Sequence, residues 1–170
     1  MEFKKFENSA AVGIVMGSDS DLGVMQETTR ILKQFGVPYE ITVASAHRSP
    51  DRAAAFATTA RERGIRVIIA GAGHAAHLAG SMAAHTSLPV IGVPIDSSCL
   101  QGFDELLSTV QMPPGLPVAT VSIGKSGARN AGILAAQILA LSDGVLETKL
   151  ADFKMDMAEK VAQKAQALEA

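Results

Sequence analysis

AVGIVMGSDSD, Ala11 to Asp21, runs an unbroken apolar stretch straight into a cluster of hydroxyls and carboxylates. An apolar run with no polar alternation is the pattern of a strand buried on both faces, and Gly-Ser-Asp at its end is the pattern that opens a helix. Together they read as one βα step of a parallel sheet. The steps that follow repeat it.

Leu22, Met25, Thr29 and Leu32 come next at helical spacing, and Gly36 supplies the stop, which predicts a helix over Leu22 to Phe35. EITV (40–43) predicts the second strand. Ser49-Pro50 then reads as an N-cap followed by proline at the first helical position, ahead of DRAAAFATTARERG (51–64). RVIIAG (66–71) predicts the third strand, with a helix over Ala75 to His85 behind it. PVIGVP (89–94) starts the fourth strand at an edge proline. FDELLSTV (103–110) reads as a helix and LPVATVSI (116–123) as the fifth strand. SGARNAGILAAQILAL (126–141) is an Ala-rich helix apolar on nearly every side, hence expected to be buried. Five strands alternating with helices imply an α/β fold: a three-layer, doubly wound parallel sheet with right-handed crossovers and a flavodoxin-like strand order. The expectation is a single domain over residues 1–170, its core at 11–142. A charged amphipathic helix at 145–168 is surplus to the βα pattern and is expected to dock on a neighbouring subunit. No linker and no second domain is expected.

Composition narrows the function. With 170 residues, 48% hydrophobic and 19% charged, the chain can bury a core without disulfides, and it lacks the profile of a disordered segment. Six Phe, one Tyr and no Trp at a mean hydropathy of +0.23 leave the apolar content to small aliphatic side chains, which suits a tightly packed, oligomeric α/β protein. A net charge of -2 and a pI of 6.1 exclude the basic footprint of a nucleic-acid binder, so any anion is met by a local site. Cys99 is the one cysteine, and MEFKKFENSA lacks the long apolar stretch of a signal peptide; both point to the cytoplasm. The weakly polar run Val67 to Ala84 contains His74 and His77, which argues against a bilayer span.

Ligands of open α/β sheets bind beyond the carboxyl ends of the strands. The segments there are Gly17-Ser18-Asp19-Ser20-Asp21, Ser45-Ala46-His47-Arg48-Ser49, Gly71-Ala72-Gly73-His74-Ala75-Ala76-His77 and Pro94-Ile95-Asp96-Ser97-Ser98. Hydroxyls, an arginine, carboxylates, imidazoles and glycine amides on one edge suit a phosphorylated polar metabolite. GSDSD at a helix start offers N–H groups to an anion, and reads equally as an N-cap cluster. GxxxxGK[ST] is absent, and Ala76 breaks GxGxxG, so neither nucleotide fingerprint is present. His47 beside Arg48 joins a group that titrates near neutrality to a permanent cation that clamps phosphate. The plainer alternative pairs Arg48 with Asp51 or Asp21 and leaves His47 as a loop residue. His77, after a Gly-rich turn, reads either as functional or as bonded to backbone. His74 and His77 have the i, i+3 spacing of metal ligands but no cysteine or carboxylate at suitable local spacing, so no metal is expected. His85 reads as a helix-end residue and Cys99 as packing.

GSDSD, SAHRSPDR, AGAGHAAHLAG, LPVIGVPIDSS and LSTVQMPPGLPVATVSIG, in this order and spacing, resemble the class I N5-carboxyaminoimidazole ribonucleotide mutases of bacterial purine biosynthesis, from Val12 to Leu141. The resemblance implies a homo-octamer that moves a carboxylate from nitrogen to carbon, giving 4-carboxy-5-aminoimidazole ribonucleotide. By motif, Ser18, Asp21 and Arg48 would hold the ribose 5-phosphate portion, with Ser20 and Ser45 near it, and His47 would transfer protons. The family mechanism implies decarboxylation to bound aminoimidazole ribonucleotide and carbon dioxide, attack by imidazole carbon 4 on the gas, and loss of the carbon 4 proton. The Gly71 to Gly80 loop, Gly73 included, would let backbone N–H groups approach a carboxylate, with His77 over the same region. No redox cofactor, biotin, metal or ATP is then implied. Two positions depart from the family pattern: His74 stands where many members have glycine, and Ala79 where they have proline. His47→Asn is expected to abolish turnover and His74→Gly is not. Two rivals remain: direct carboxylation of aminoimidazole ribonucleotide by carbon dioxide, the class II reaction, and a non-catalytic phosphosugar-binding module. The Ala-rich helix and the tail after Leu146 are expected to build subunit contacts.

Overall fold

In the computed structural model, which describes residues 10–169, the first apolar run forms strand β1 (Val12–Met16), buried at every position. It lies between β2 (Tyr39–Val43) and β3 (Val67–Ala72) in a parallel sheet that continues through β4 (Val90–Pro94) to β5 (Ala119–Thr120). The strand order is β2-β1-β3-β4-β5, the flavodoxin-like order expected, and every pairing is parallel. Successive side chains of a strand point to opposite faces. Val12, Ile14, Met16, Val67, Ile69 and Ile91 therefore pack with helices α1 (Leu22–Phe35) and α5 (Gly124–Ala140). Val15, Ile68 and Ala70 pack on the other face with Phe56 of α2 (Pro50–Thr58) and Met82 of α3 (Leu78–His85).

Helices α1 and α5 are locked together across the first face. The Thr28 hydroxyl donates to the Ala128 carbonyl at 2.7 Å. A Cβ on Gly132 would lie 2.9 Å from Ile31 Cγ2, so only glycine permits this approach. Buried Glu27 accepts from Arg129 at 2.8 Å and from Arg30 at 2.7 Å. The last helix, α6 (Gly144–Glu169), is pinned at its start: Leu146 and Leu150 are buried, Lys149 Nζ donates to the Phe35 carbonyl at 3.0 Å, and Phe153 meets Phe35 edge-on. From Lys154 to Leu168 every residue is exposed, so the outer half of α6 has no partner within the described chain.

Five details differ from the sequence reading. The fifth strand is two residues long rather than eight, because Pro117 brings no N–H to the ladder and the chain leaves the edge after Val121 bonds Gly92. Helix α3 begins at Leu78, not Ala75, because His74 takes a positive φ of 51° and the loop turns there. Helix α2 ends at Thr58; a separate 3-10 turn, Arg61–Arg63, follows, and Gly64 closes it at φ 92°. Ser49 does not cap α2 with its hydroxyl, which instead bonds Ser45. Helix α5 is not buried all round. Its buried positions are Gly124, Gly127, Ala128, Ala131, Gly132, Ala135 and Ala136, a single stripe, because an outer-layer helix has the sheet on one side only.

Candidate active site

The loops after β1, β2, β3 and β4 converge on one cleft of about 430 Å³, the size of a small-ligand site. Ser18, Ser20, Asp21, Ser45, His47, Arg48 and Gly73 all line it, joined by His74 and Ser97.

The β1 loop is shaped by its own polar groups. Ser18 caps the 3-10 turn Asp19–Asp21: its hydroxyl accepts from Ser20 N–H, and Asp21 Oδ2 accepts the Ser18 N–H at 3.1 Å, a reciprocal capping box. The N-cap reading of GSDSD thus holds, and the same residues still face the cleft. Asp21 is only 6% exposed. Burial pushes its carboxyl above the ordinary range, opposed by the Ser18 N–H and by Arg48 and His74 nearby.

The β2 loop is held by serine turns. Ser45 N–H donates to Ser49 Oγ at 2.9 Å, and Ser45 Oγ accepts the N–H groups of His47 (3.3 Å) and Arg48 (3.1 Å). With its lone pairs committed to backbone, the Ser45 hydroxyl proton is left for a ligand oxygen. Arg48 pairs with neither Asp51 nor Asp21. One Nη2 hydrogen goes to the Gly17 carbonyl at 2.9 Å, which fixes the guanidinium against the β1 loop and leaves its other donors for an anion.

His47 Nε2 lies 3.0 Å from His77 Nδ1, with the rings 5.1 Å apart and 78° inclined. That contact requires one proton between the two nitrogens, so one ring donates while the other accepts. His77 does not line the cleft; it backs His47. Among the described residues no group of three or more His, Cys, Asp or Glu side chains is placed to hold a metal ion.

The β3 loop is organised by residues the sequence reading did not select. Glu105 of helix α4 (Phe103–Val110) is fully buried, and its Oε1 accepts His74 N–H at 2.8 Å. Ser97 Oγ accepts the same N–H at 3.0 Å, donates toward Glu105 Oε1 at 3.3 Å and lies 2.9 Å from His74 Nδ1. Ser98 Oγ donates to Asp104 Oδ1 at 2.6 Å, within reach of Glu105 Oε2 at 3.2 Å. The Ser98 hydrogen bond, with Glu105 beside it, holds the Asp104 carboxyl below the ordinary range. Gly73 has no room for a Cβ, which would fall 1.9 Å from Ser97 Oγ. Its smallness therefore admits Ser97, and the neighbouring His74 N–H points at Ser97 and Glu105 rather than at a substrate carboxylate. Nothing in FDELLSTV marks Glu105 for the interior, because its helix turns Glu105 and Thr109 inward and leaves Phe103, Leu107 and Val110 60%, 41% and 47% exposed.

Comparison with known proteins agrees with the geometry. The family model described as AIR carboxylase matches residues 11–160. The N5-carboxyaminoimidazole ribonucleotide mutase of Pyrococcus horikoshii is 60% identical over 158 residues, covering 93% of this chain and 88% of that protein. The phosphoribosylaminoimidazole carboxylase of Saccharomyces cerevisiae is 56% identical over 158 residues, 93% of this chain but 27% of that protein. A crystal structure of Treponema denticola PurE superposes with a TM-score of 0.84 at 27% identity, covering 94% of this chain and 98% of that one.

Proposed function

The chain belongs to the AIR carboxylase family, and from that premise we propose that it is an N5-carboxyaminoimidazole ribonucleotide mutase, an isomerase of purine biosynthesis. The single observation that carries the reading to residues is that one cleft joins a fixed Arg48, the hydroxyls of Ser18, Ser20 and Ser45, Asp21 and His47. Relatives with the mutase name match over most of their own length, whereas the match covers only 27% and 30% of the carboxylases of Saccharomyces cerevisiae and Schizosaccharomyces pombe. Direct carboxylation is therefore not favoured.

In this reading Arg48, Ser18, Ser20 and Ser45 donate to the phosphate, and Asp21 accepts from ribose hydroxyls. His47 gives a proton to the leaving nitrogen as the N–C bond to the carboxylate breaks, leaving aminoimidazole ribonucleotide and carbon dioxide in the cleft. Carbon 4 then attacks the carbon dioxide carbon. His47, now a base, takes the carbon 4 proton and restores the aromatic ring. His77, one hydrogen bond away, keeps the His47 ring in place and shares its proton between the two steps. Retention of carbon dioxide asks that water be kept from the cleft while the ring holds its orientation.

The same proposal extends to a homo-octamer in the cytoplasm with carbon dioxide as a bound intermediate. What supports assembly is the exposed apolar face formed by Leu100, Phe103, Leu107 and Val110, together with the unpartnered outer half of α6. Light scattering that shows a fully active 17.6 kDa monomer refutes it.

The test of function is incubation with the carboxyamino nucleotide and labelled bicarbonate, without ATP or metal. Product largely free of label is expected. Heavily labelled product, or activity only from aminoimidazole ribonucleotide plus bicarbonate, overturns the mutase reading in favour of direct carboxylation; absence of product overturns both.

A further inference from the structure

The reaction proposed above makes no use of His74, although this residue lines the cleft. Its backbone sits at φ 51°, a left-handed conformation that glycine adopts freely and a histidine adopts at a cost. The loop does not need the ring to hold that shape, because the anchor is the main-chain N–H, clamped by Glu105 Oε1 at 2.8 Å and Ser97 Oγ at 3.0 Å. The imidazole is therefore present for what it offers the cleft.

Proton accounting says what it offers. Ser97 has one hydroxyl proton and two possible acceptors, Glu105 Oε1 and His74 Nδ1. Glu105 is fully buried, and no cation pairs with it among the described residues, so its oxygens draw on hydroxyl and amide donors. With the Ser97 proton directed to Glu105, His74 Nδ1 must carry a hydrogen to bond Ser97 Oγ. Only the protonated ring attracts the nearby Asp21 carboxylate; in the neutral ring Nε2 is a bare acceptor, and it makes no hydrogen bond among the described residues. The phosphate end of the cleft is built of donors, Arg48 and serine hydroxyls. An acceptor elsewhere on the wall suits a ligand N–H.

We propose that His74 is a substrate-positioning residue whose Nε2 accepts a hydrogen bond from the exocyclic nitrogen of the aminoimidazole, held in that tautomer by the Glu105–Ser97 chain. This rests on the mutase reading for the identity of the ligand, and its test does not depend on turnover.

The experiment is calorimetric titration of the full-length parent, His74→Gly and His74→Asn with two probes, aminoimidazole ribonucleotide and ribose 5-phosphate. Loss of one neutral hydrogen bond weakens the nucleotide about three- to ten-fold in His74→Gly and leaves ribose 5-phosphate within about two-fold. His74→Asn tolerates the left-handed backbone and reaches Ser97 as Nδ1 does, but falls short of the Nε2 position, so it binds the nucleotide as weakly as His74→Gly. In turnover, both variants raise KM while product still forms at saturating substrate. Parent-like nucleotide binding by His74→Asn would reduce His74 to a loop anchor and overturn the proposal. Equal weakening of both probes, or of neither, overturns it as well. Failure of the mutase reading shows separately, as a parent that binds aminoimidazole ribonucleotide but forms no product from the carboxyamino nucleotide.

Discussion

Glu105→Ala removes the buried carboxyl group on which the β3 and β4 loops converge, and its cost follows from which donors it strands. His74 N–H keeps Ser97 Oγ at 3.0 Å, Ser98 keeps Asp104 at 2.6 Å, and the Ser97 hydroxyl can turn to His74 Nδ1 at 2.9 Å. Every donor thus has a second partner, and the penalty for an unsatisfied buried group is avoided. What is lost is the short bond from His74 N–H to the carboxyl, worth about 1.5–3 kcal/mol where the acceptor is ionised. Taking about 2 kcal/mol for a domain of this size, the thermal midpoint falls by about 4–8 °C. Glu105→Gln keeps an acceptor oxygen and costs about 1 kcal/mol or less. The assay is thermal unfolding at one protein concentration, paired with titration of aminoimidazole ribonucleotide. Because the Ser97 proton moves to Nδ1 in Glu105→Ala, Nε2 becomes a donor and nucleotide affinity drops as it does in His74→Gly. An unmoved midpoint refutes the reasoning, as does a loss above about 5 kcal/mol, which would mean that the donors are stranded after all.

Four further outcomes follow from the cleft. His47→Asn abolishes product formation yet leaves ribose 5-phosphate binding in calorimetry; residual turnover near that of the parent refutes His47 as the proton-transfer group. Arg48→Ala loses charge-assisted bonds to phosphate and raises KM about ten- to a hundred-fold, an effect that shrinks as salt rises; a KM independent of salt speaks against a phosphate role. Asp21 has a folded-state pKa raised by burial above 3.8, so its contribution to stability is present below that pH and is lost as pH rises through the folded value. Asp21→Asn, which can still accept the Ser18 N–H, therefore raises the unfolding midpoint at neutral pH, the gain vanishes below pH 3.8, and ribose binding is lost; a gain that grows toward acid reverses the sign and sinks the argument. Gly73→Ala places a Cβ 1.9 Å from Ser97 Oγ and expels that side chain, so nucleotide binding falls; Gly73→Ala/Ser97→Gly recovers the stability lost by Gly73→Ala, and failure to do so shows that the crowding lies elsewhere.

The fold was legible because its decisive signals are local. The run Val12–Met16 reads as a buried parallel strand since each residue is apolar and both faces are covered, and Gly36 at φ 73° ends α1 where the sequence placed the stop. The fifth strand was overread because edge position and Pro117 limit pairing, which hydropathy does not register. Most of the cleft was legible for a topological reason: parallel strands deliver the loops that follow them to one edge, so Ser18, Asp21, Ser45, His47, Arg48 and Gly73 needed only to follow their strands to meet.

Glu105 was not legible, and the cause is general. Pattern reading assigns the apolar face of a helix to the interior, and α4 reverses it: Glu105 and Thr109 point inward while Phe103, Leu107 and Val110 face out. Inward polarity is tolerable because the site supplies the partners, His74 N–H, Ser97 and Ser98, and Thr109 bonds the Glu105 carbonyl at 2.7 Å. Outward apolarity has no compensation among the described residues, and a patch of that kind is what an assembling protein leaves for contact with another molecule. The two halves of the inversion are separate: the inward one follows from the chemistry of the cleft, and the outward one is accounted for by the assembly proposed above. A rule built on the hydropathy of one isolated chain contains neither, so it fails at α4 and succeeds at β1.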